Sequence, residues 1–479
     1  MKKLLILLSL AGATCFCQAQ DDFESFRKRI HKDFQDFRHQ ILEEYTDFLR
    51  NPWKDFHGDE PVVKPDEKPV PPVVAPIDEP VKSDPVIIDD VIKPIPVTPQ
   101  PKPISPIEEN EERTEPLTFE FFGTSVTVRV PRNMNFSVTQ LDENSLADAF
   151  TVLTGSAYDN LLYDCLEMRQ SMKLCDWAYI QFLRMMSDAA CGKGTNEAEL
   201  LMAAVYVQSG YRMRLAHDGN RLYMLYASRH NEFGKTFYGL DNENYYALEA
   251  IPYNLKISLA KFPKEKSLSL LIPYLPKLEK KLSHPRTIQS KKYPEVKETV
   301  QTNSHLMDFF STYPCSYYND EVMSQWSQYA ETPLDDENDW KNLAAAISGK
   351  SEYEAVSRLL NWVQTGLEYG YDTEIWGEDR VFFADETLHY PYCDCEDRSI
   401  LFTRLVRNLL HLDCLLIYYP GHLAAAVKFT EPVEGDYIVQ NGAQFVVCDP
   451  TYIGAPVGRT MPDMDNQKAT VIRLSGKKQ

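Results

Sequence analysis

From Phe23 onward apolar residues recur at Phe23, Phe26, Ile30, Phe34, Phe37, Ile41, Tyr45 and Phe48, with spacings of 3, 4, 4, 3, 4, 4 and 3. Steps of three and four put all of them on one stripe, which predicts a single amphipathic helix ended by Asn51-Pro52. The repeat is 11 residues, about 3.67 per turn, so the stripe barely drifts around a straight helix. So much phenylalanine is a large apolar surface to leave in water. The stripe therefore either docks on the protein's own body or serves self-association or an envelope partner.

The periodicity then stops. Between Pro61 and Pro116 lie 15 of the chain's 31 prolines, with no glycine and no run able to build a core. Such a segment is expected to be extended and to act as a spacer, on the order of 170 Å long at ~3.1 Å per residue. A spacer of that length would let the N-terminal helix and the remainder work at different places.

Beyond it the patterning is that of a folded α+β protein. Residues 117–130 (LTFEFFGTSVTVRV) alternate on both sides of Gly123-Thr124 and predict a hairpin. Within 195–228 the expected order is helix, Ser209-Gly210 stop, strand, Asp218-Gly219-Asn220 turn, strand. The same order returns two hundred residues later as a helix from Cys395, the strand LDCLLIYY, a Pro420-Gly421 turn and the strand HLAAAVKF, which suggests a diverged internal duplication. Ser351-Glu352-Tyr353-Glu354 is a capping box that opens a helix closed by Gly370, and Asn441-Gly442 between two β-rich runs marks a hairpin.

Composition adds an export signal. Residues 1–19 carry two lysines, an apolar run from Leu4 to Ala11 and small residues before a cut after Ala19. The run is too short to span a bilayer, and no later segment approaches the roughly 20 apolar residues that a spanning helix needs. The expected location is periplasmic or extracellular; in a second reading, Cys15 or Cys17 is the lipid-modified start of a lipoprotein. The expected organisation is residues 1–19 signal, 20–57 amphipathic helix, 58–116 Pro-rich linker, 117–300 a first α+β unit and 301–479 a second. Loss of the signal leaves 48 basic residues against 70 acidic ones, a net charge of −22, which argues against nucleic acid and anionic membranes as partners.

Eight cysteines remain, too few for a disulfide scaffold in a chain this long, and they are expected to be buried thiols or one or two ordinary bridges. Cys395 stands apart. It sits between the aromatic HYPYCD segment and the charged start of a helix, where free amides and the helix dipole favour a thiolate. His422 opens a strand after a tight turn, sharing a face with Ala424 and Ala426, and Asp449 ends the next strand. Together the three predict a nucleophile, a proton shuttle and a carboxylate that orients the imidazole. Cys393 is the weaker candidate nucleophile, and a metal site from Cys393, Cys395, His422 and Cys448 is conceivable although C-x-C is not the usual zinc spacing. Cys414 and Cys448, inside apolar strands, read as small hydrophobes.

The stretch Asp394-Cys395-Glu396-Asp397-Arg398-Ser399 resembles the D-C-E-D surroundings of the nucleophile in the transglutaminase-like superfamily, in its exported bacterial form. Residues 421–427 are similar to that family's histidine strand, and Cys448-Asp449-Pro450-Thr451-Tyr452 to its aspartate strand with the D-P-T that follows. The resemblance covers roughly residues 340–475. It implies a papain-like α+β core with the nucleophile helix on an antiparallel sheet, a Cys395-His422-Asp449 triad and no cofactor. The implied reaction is acyl transfer from a peptide or isopeptide carbonyl to water, the alternatives being a cross-linking transglutaminase or a binding module without chemistry. The chain departs from the family in Tyr392-Cys393, where many members have glycine, and in Leu423-Ala424 after the histidine, where an aromatic residue is usual. Trp376, His389 and Tyr390 are candidate oxyanion donors, as is the Cys395 backbone amide. In the first unit, Thr195 and Tyr223 fall at the cysteine and histidine positions, so its chemistry would be lost.

Overall fold

The computed structural model describes residues 32–65, 68–76, 83–336 and 338–476. The signal at 1–19 and the helix start at Phe23 lie outside these residues. The fold is mixed α+β, built on two six-stranded sheets. The first runs Lys54–His57, Asn254–Ile257, Met213–His217, Leu222–Ser228, Glu243–Tyr246, Tyr238–Leu240. The second runs Asp90–Ile92, Thr470–Arg473, Cys414–Tyr419, His422–Val427, Ala443–Cys448, Tyr437–Gln440. Position by position the order is the same, and in each a helix, Asn196–Gln208 or Cys395–Leu409, directly precedes the central hairpin. The one difference is at the outer edge, where Lys54–His57 pairs antiparallel and Asp90–Ile92 parallel. A continuous apolar cluster reaches from Leu42 to Leu474.

Local chemistry explains the elements that carry the site. Ser351 and Glu354 close a reciprocal capping box on helix Glu352–Gly366, which ends before Gly370 because Leu367 turns extended. The hairpin Tyr437–Gln440/Ala443–Cys448 turns at Asn441 and Gly442, both with positive φ (50° and 75°) as a type I′ turn requires. All eight described cysteines are free thiols. Among the described residues no helix is long and apolar enough to cross a membrane.

The N-terminal helix, residues 32–49, docks through a face rotated from the phenylalanine stripe. Leu42, Tyr45 and Leu49 are buried, with the Tyr45 ring 5.1 Å from Phe150 and 5.7 Å from Phe262, while Phe34, Phe37 and Phe48 stay exposed. Arg38 fixes its rotation by pairing with Asp159 at 2.7 Å and Gln208 at 2.8 Å.

The proline-rich segment is extended, as its composition requires, but it is no free spacer. It lies along the body as a strap. Asp59 and Val62 bridge Phe237 and Phe233 on the first unit; Val74 and Pro85 bridge Ile453 and Tyr437 on the second. Asp90–Ile92 then becomes the edge strand of the second sheet, and Gln100 donates to Leu174 O (2.9 Å) and Asp176 (3.0 Å) back on the first unit. Unpaired amides between prolines find partners along these exposed strand and loop edges, and Val, Ile and Pro side chains cover apolar surface there. At Gly210, with φ +96°, an added Cβ would stand 2.3 Å from the Lys102 carbonyl. Gly210→Ala is therefore expected to cost about 1–3 kcal/mol from backbone strain and to loosen the strap there, read by chemical denaturation and by faster proteolysis between residues 96 and 106.

Candidate functional site

Helix Cys395–Leu409 begins at an Asp394 cap whose partner is Asp397: the Asp394 amide donates to Asp397 Oδ2 at 3.2 Å, and the Phe382 amide to Oδ1 at 2.9 Å. The helix lies on the central hairpin, where Ser399 Oγ donates to Leu423 O at 2.7 Å; the small side chains after Leu423 allow the close approach. Arg398, almost wholly buried, ties the helix to the end of its neighbour through Gln364 O (3.3 Å) and Leu367 O (2.9 Å) and stacks over Tyr369.

The structure brings Cys395, His422 and Asp449 together, each no more than 3% exposed. Asp449 Oδ2 is 2.8 Å from His422 Nε2, and Oδ1 accepts from the amides of Thr451 (2.8 Å) and Tyr452 (3.1 Å). His422 Nδ1 is buried and makes no hydrogen bond. The Leu423 backbone N–H faces the Cys395 sulfur, which puts the thiol against the histidine strand. Cys395 and His422 line one cleft of about 500 Å³. Its lining includes Trp326, stacked on Tyr418 at 5.1 Å, the carboxyl groups of Asp372, Asp379, Asp394 and Glu396, and the strap residues Lys64, Pro65, Lys68 and Pro69.

The thiol's state differs from the sequence expectation. Burial first, and then the Glu396 and Asp394 carboxylates, push the Cys395 thiol well above its ordinary value, against the opposing pull of the Leu423 amide. It donates to Glu396 Oε2 at 3.0 Å. The helix start is real, but desolvation and two adjacent carboxylates outweigh it. Burial and then Glu396 raise Asp372 to about 7; burial and then Glu396 hold Asp394, and burial and then Asp372 hold Asp397, well above the carboxylate range. Two groups of side chains have ligating atoms close enough for a metal ion: Asp394, Cys395 and Glu396, and Asp372, Asp379 and Glu396.

Cys393 is buried, its thiol raised to about 11 by burial and 3.6 Å from Glu368 O, and it does not line the cleft. Cys414 and Cys448 are buried in their strands. The three side-chain candidates for the oxyanion are displaced. Trp376 and Tyr390 pack around the Arg380 guanidinium, and His389 Nδ1 meets Thr302 Oγ1 at 2.6 Å, all outside the cleft lining. Gln325 is the single side-chain amide in that lining, with its Oε1 turned toward Cys315. In the first unit Thr195 caps helix Asn196–Gln208, and Leu222 and Tyr223 open the strand that corresponds to His422–Val427.

Sequence reasoning also missed Gln364. Its Nε2 donates to the carbonyls of Asp449 (2.9 Å), Tyr452 (2.8 Å) and Ala455 (3.2 Å), and its Oε1 accepts from Gly454 N at 3.2 Å. The signal was present: Gln364 falls four residues after Leu360, on a face that is otherwise apolar. Gln364→Ala strands these groups in the interior and is expected to cost about 2–4 kcal/mol, checked by urea denaturation. A scan of the chain against protein-family models and a search of curated proteins return no match.

Proposed function

We propose that the protein is an exported cysteine-dependent acyl-transfer enzyme of the transglutaminase-like kind, hydrolysing a peptide or isopeptide bond. The observation that carries this reading is the state of the imidazole: Nε2 is held by Asp449 while Nδ1 stands without a partner in the cleft that Cys395 lines. In the proposed reaction Nδ1 accepts the thiol proton as Cys395 Sγ bonds to the carbonyl carbon. Asp449 stabilises the imidazolium, and the C–N bond breaks as His422 returns the proton to the leaving amine. Water, deprotonated by His422, then cleaves the thioester. The oxyanion would be met by the Cys395 backbone amide and the Gln325 side chain. The matching strand orders of the two sheets support a duplication in which only the second unit keeps these groups.

One observation favours a second reading, a binding module without chemistry: the buried thiol is held neutral against Glu396. Acid-quenched incubation of Lys64→Ala protein with a tryptic casein digest separates the two. Acyl transfer predicts hydroxylamine-labile mass adducts on Cys395 and cleavage of the peptides, and their absence supports the module.

A further inference from the structure

The acidic wall beside Cys395 is not empty. Lys64 reaches down from the strap and places its ammonium 2.5 Å from Asp379 Oδ2, with Nζ buried. The strap is anchored on either side, by Gly234 N to Val62 O (3.0 Å) and by Ala75 N to Ile453 O (2.9 Å). Between these anchors the Val70 amide donates to Gly421 O at 2.8 Å, next to His422, and the Lys68 carbonyl lies so close that a Cβ on Gly421 would meet it at 2.2 Å. Lys64, Pro65, Lys68 and Pro69 of the protein's own chain thus line the cleft beside Cys395 and His422.

We propose that Asp372, Asp379 and Glu396 form a subsite for a primary ammonium, the lysine side chain of a proline-flanked peptide, and that Lys64 occupies it in cis and keeps the cleft covered. The proposal rests on the acyl-transfer reading only for what happens to the bound peptide. The cluster suits a cation: three carboxylates have oxygens within 4.8 Å of one another, and the nearby Asp394 Oδ1 is buried without a hydrogen bond. Asp372 and Glu396 are buried while Asp379 is exposed, and like charges this close either take up protons or neutralise on a cation. Burial opposes the charge on Lys64, but the neighbouring negative groups, Asp379 and Glu396 among them, outweigh it and raise the ammonium above its ordinary value. A lysine fits better than a bare ion, because the same cleft is also lined by the Trp326 and Tyr418 rings, which suit an apolar stem. Glu396 joins the two functions, since a carboxylate of the ammonium cluster also accepts the hydrogen bond of the neutral Cys395 thiol.

The test uses the full chain carrying Lys64→Ala, with Lys64→Met as a second variant that keeps an apolar stem, and n-butylammonium as the probe, titrated by calorimetry beside neutral butanol. Butylammonium is expected to bind Lys64→Ala at least tenfold tighter than wild type, butanol not to bind, and Asp379→Asn in the same background to lose at least tenfold. A synthetic peptide of residues 60–72 should follow the same order, and its counterpart with norleucine at position 64 should bind at least tenfold more weakly. Equal binding of butylammonium and butanol, or indifference to Asp379→Asn, overturns the subsite. Saturation by Ca²⁺ where butylammonium is silent overturns it in favour of a metal site. The titrations are repeated with Cys395→Ser, so a failure to bind and a failure of acyl transfer are read separately. The peptide is also titrated against wild type, so a folding defect in one variant does not decide the result.

Discussion

On the proposed acyl-transfer reading, His422→Ala is expected to slow acylation of Cys395 by roughly 10⁴-fold or more, measured as the appearance of the hydroxylamine-labile adduct in a Lys64→Ala background. The size follows from the surroundings. Burial and the Glu396 and Asp394 carboxylates hold the Cys395 thiol neutral, so the thiolate must form as the substrate arrives. Nδ1 of His422 is the nitrogen free to take that proton. Without it, the proton has only carboxylates that already repel the negative sulfur. The fold should survive, because the removed ring leaves one buried acceptor, Asp449 Oδ2, that still sits among the amides holding Oδ1. A loss of about 1–3 kcal/mol is expected from that unpaired oxygen, small beside the kinetic effect.

Asp449→Ala is expected to damage both stability and chemistry. The carboxylate is almost fully buried and serves His422 Nε2 and the amides of Thr451 and Tyr452. Its removal strands three buried donors and should cost about 3–5 kcal/mol by urea denaturation. Asp449→Asn separates the two roles. The asparagine oxygen can still accept from the Thr451 and Tyr452 amides, so most of the stability should return. Its NH₂ facing Nε2 would favour the imidazole tautomer with the proton on Nδ1, where it cannot act as base, so acylation should remain slowed by about 10⁴-fold. If Asp449→Asn acylates at the wild-type rate, Asp449 is a loop clamp and no part of the chemistry.

These residues were legible in the sequence because each sits where local rules are strong: Cys395 at a charged helix start, His422 after a Pro-Gly turn, Asp449 at a strand end before Asp449-Pro450-Thr451. The helix–strand–turn–strand order of the two units was legible for the same reason. What composition could not supply was the partner of each exposed edge. Fifteen prolines dictate an extended segment, yet nothing in them says that Val74 meets Ile453 or that Lys64 meets Asp379. Those contacts join residues more than three hundred positions apart, and only the tertiary fold creates the groove they fill. The thiol's charge state was misjudged for a related reason. The helix dipole is a local property and readable, whereas desolvation and the crowding of Asp394 and Glu396 around the sulfur depend on how the tertiary fold closes around the helix start. Trp376, His389 and Tyr390 were drawn toward the site by proximity in sequence, but Arg380 and Thr302 claim their polar and aromatic faces elsewhere.

The most direct test is the pH profile of Cys395 alkylation by iodoacetamide, followed by mass spectrometry in the full chain. A thiol held above its ordinary pKa of 9.0 stays unreactive at neutral pH. Wild type should therefore label slowly until well above pH 9. Lys64→Ala removes the strap's side-chain tie to Asp379 beside the thiol, and labelling should become faster below pH 8; adding His422→Ala should abolish that gain. A Lys64→Ala profile that superimposes on wild type, or one that His422→Ala leaves unchanged, would contradict the account of a Cys395-His422-Asp449 centre kept latent beneath its own peptide.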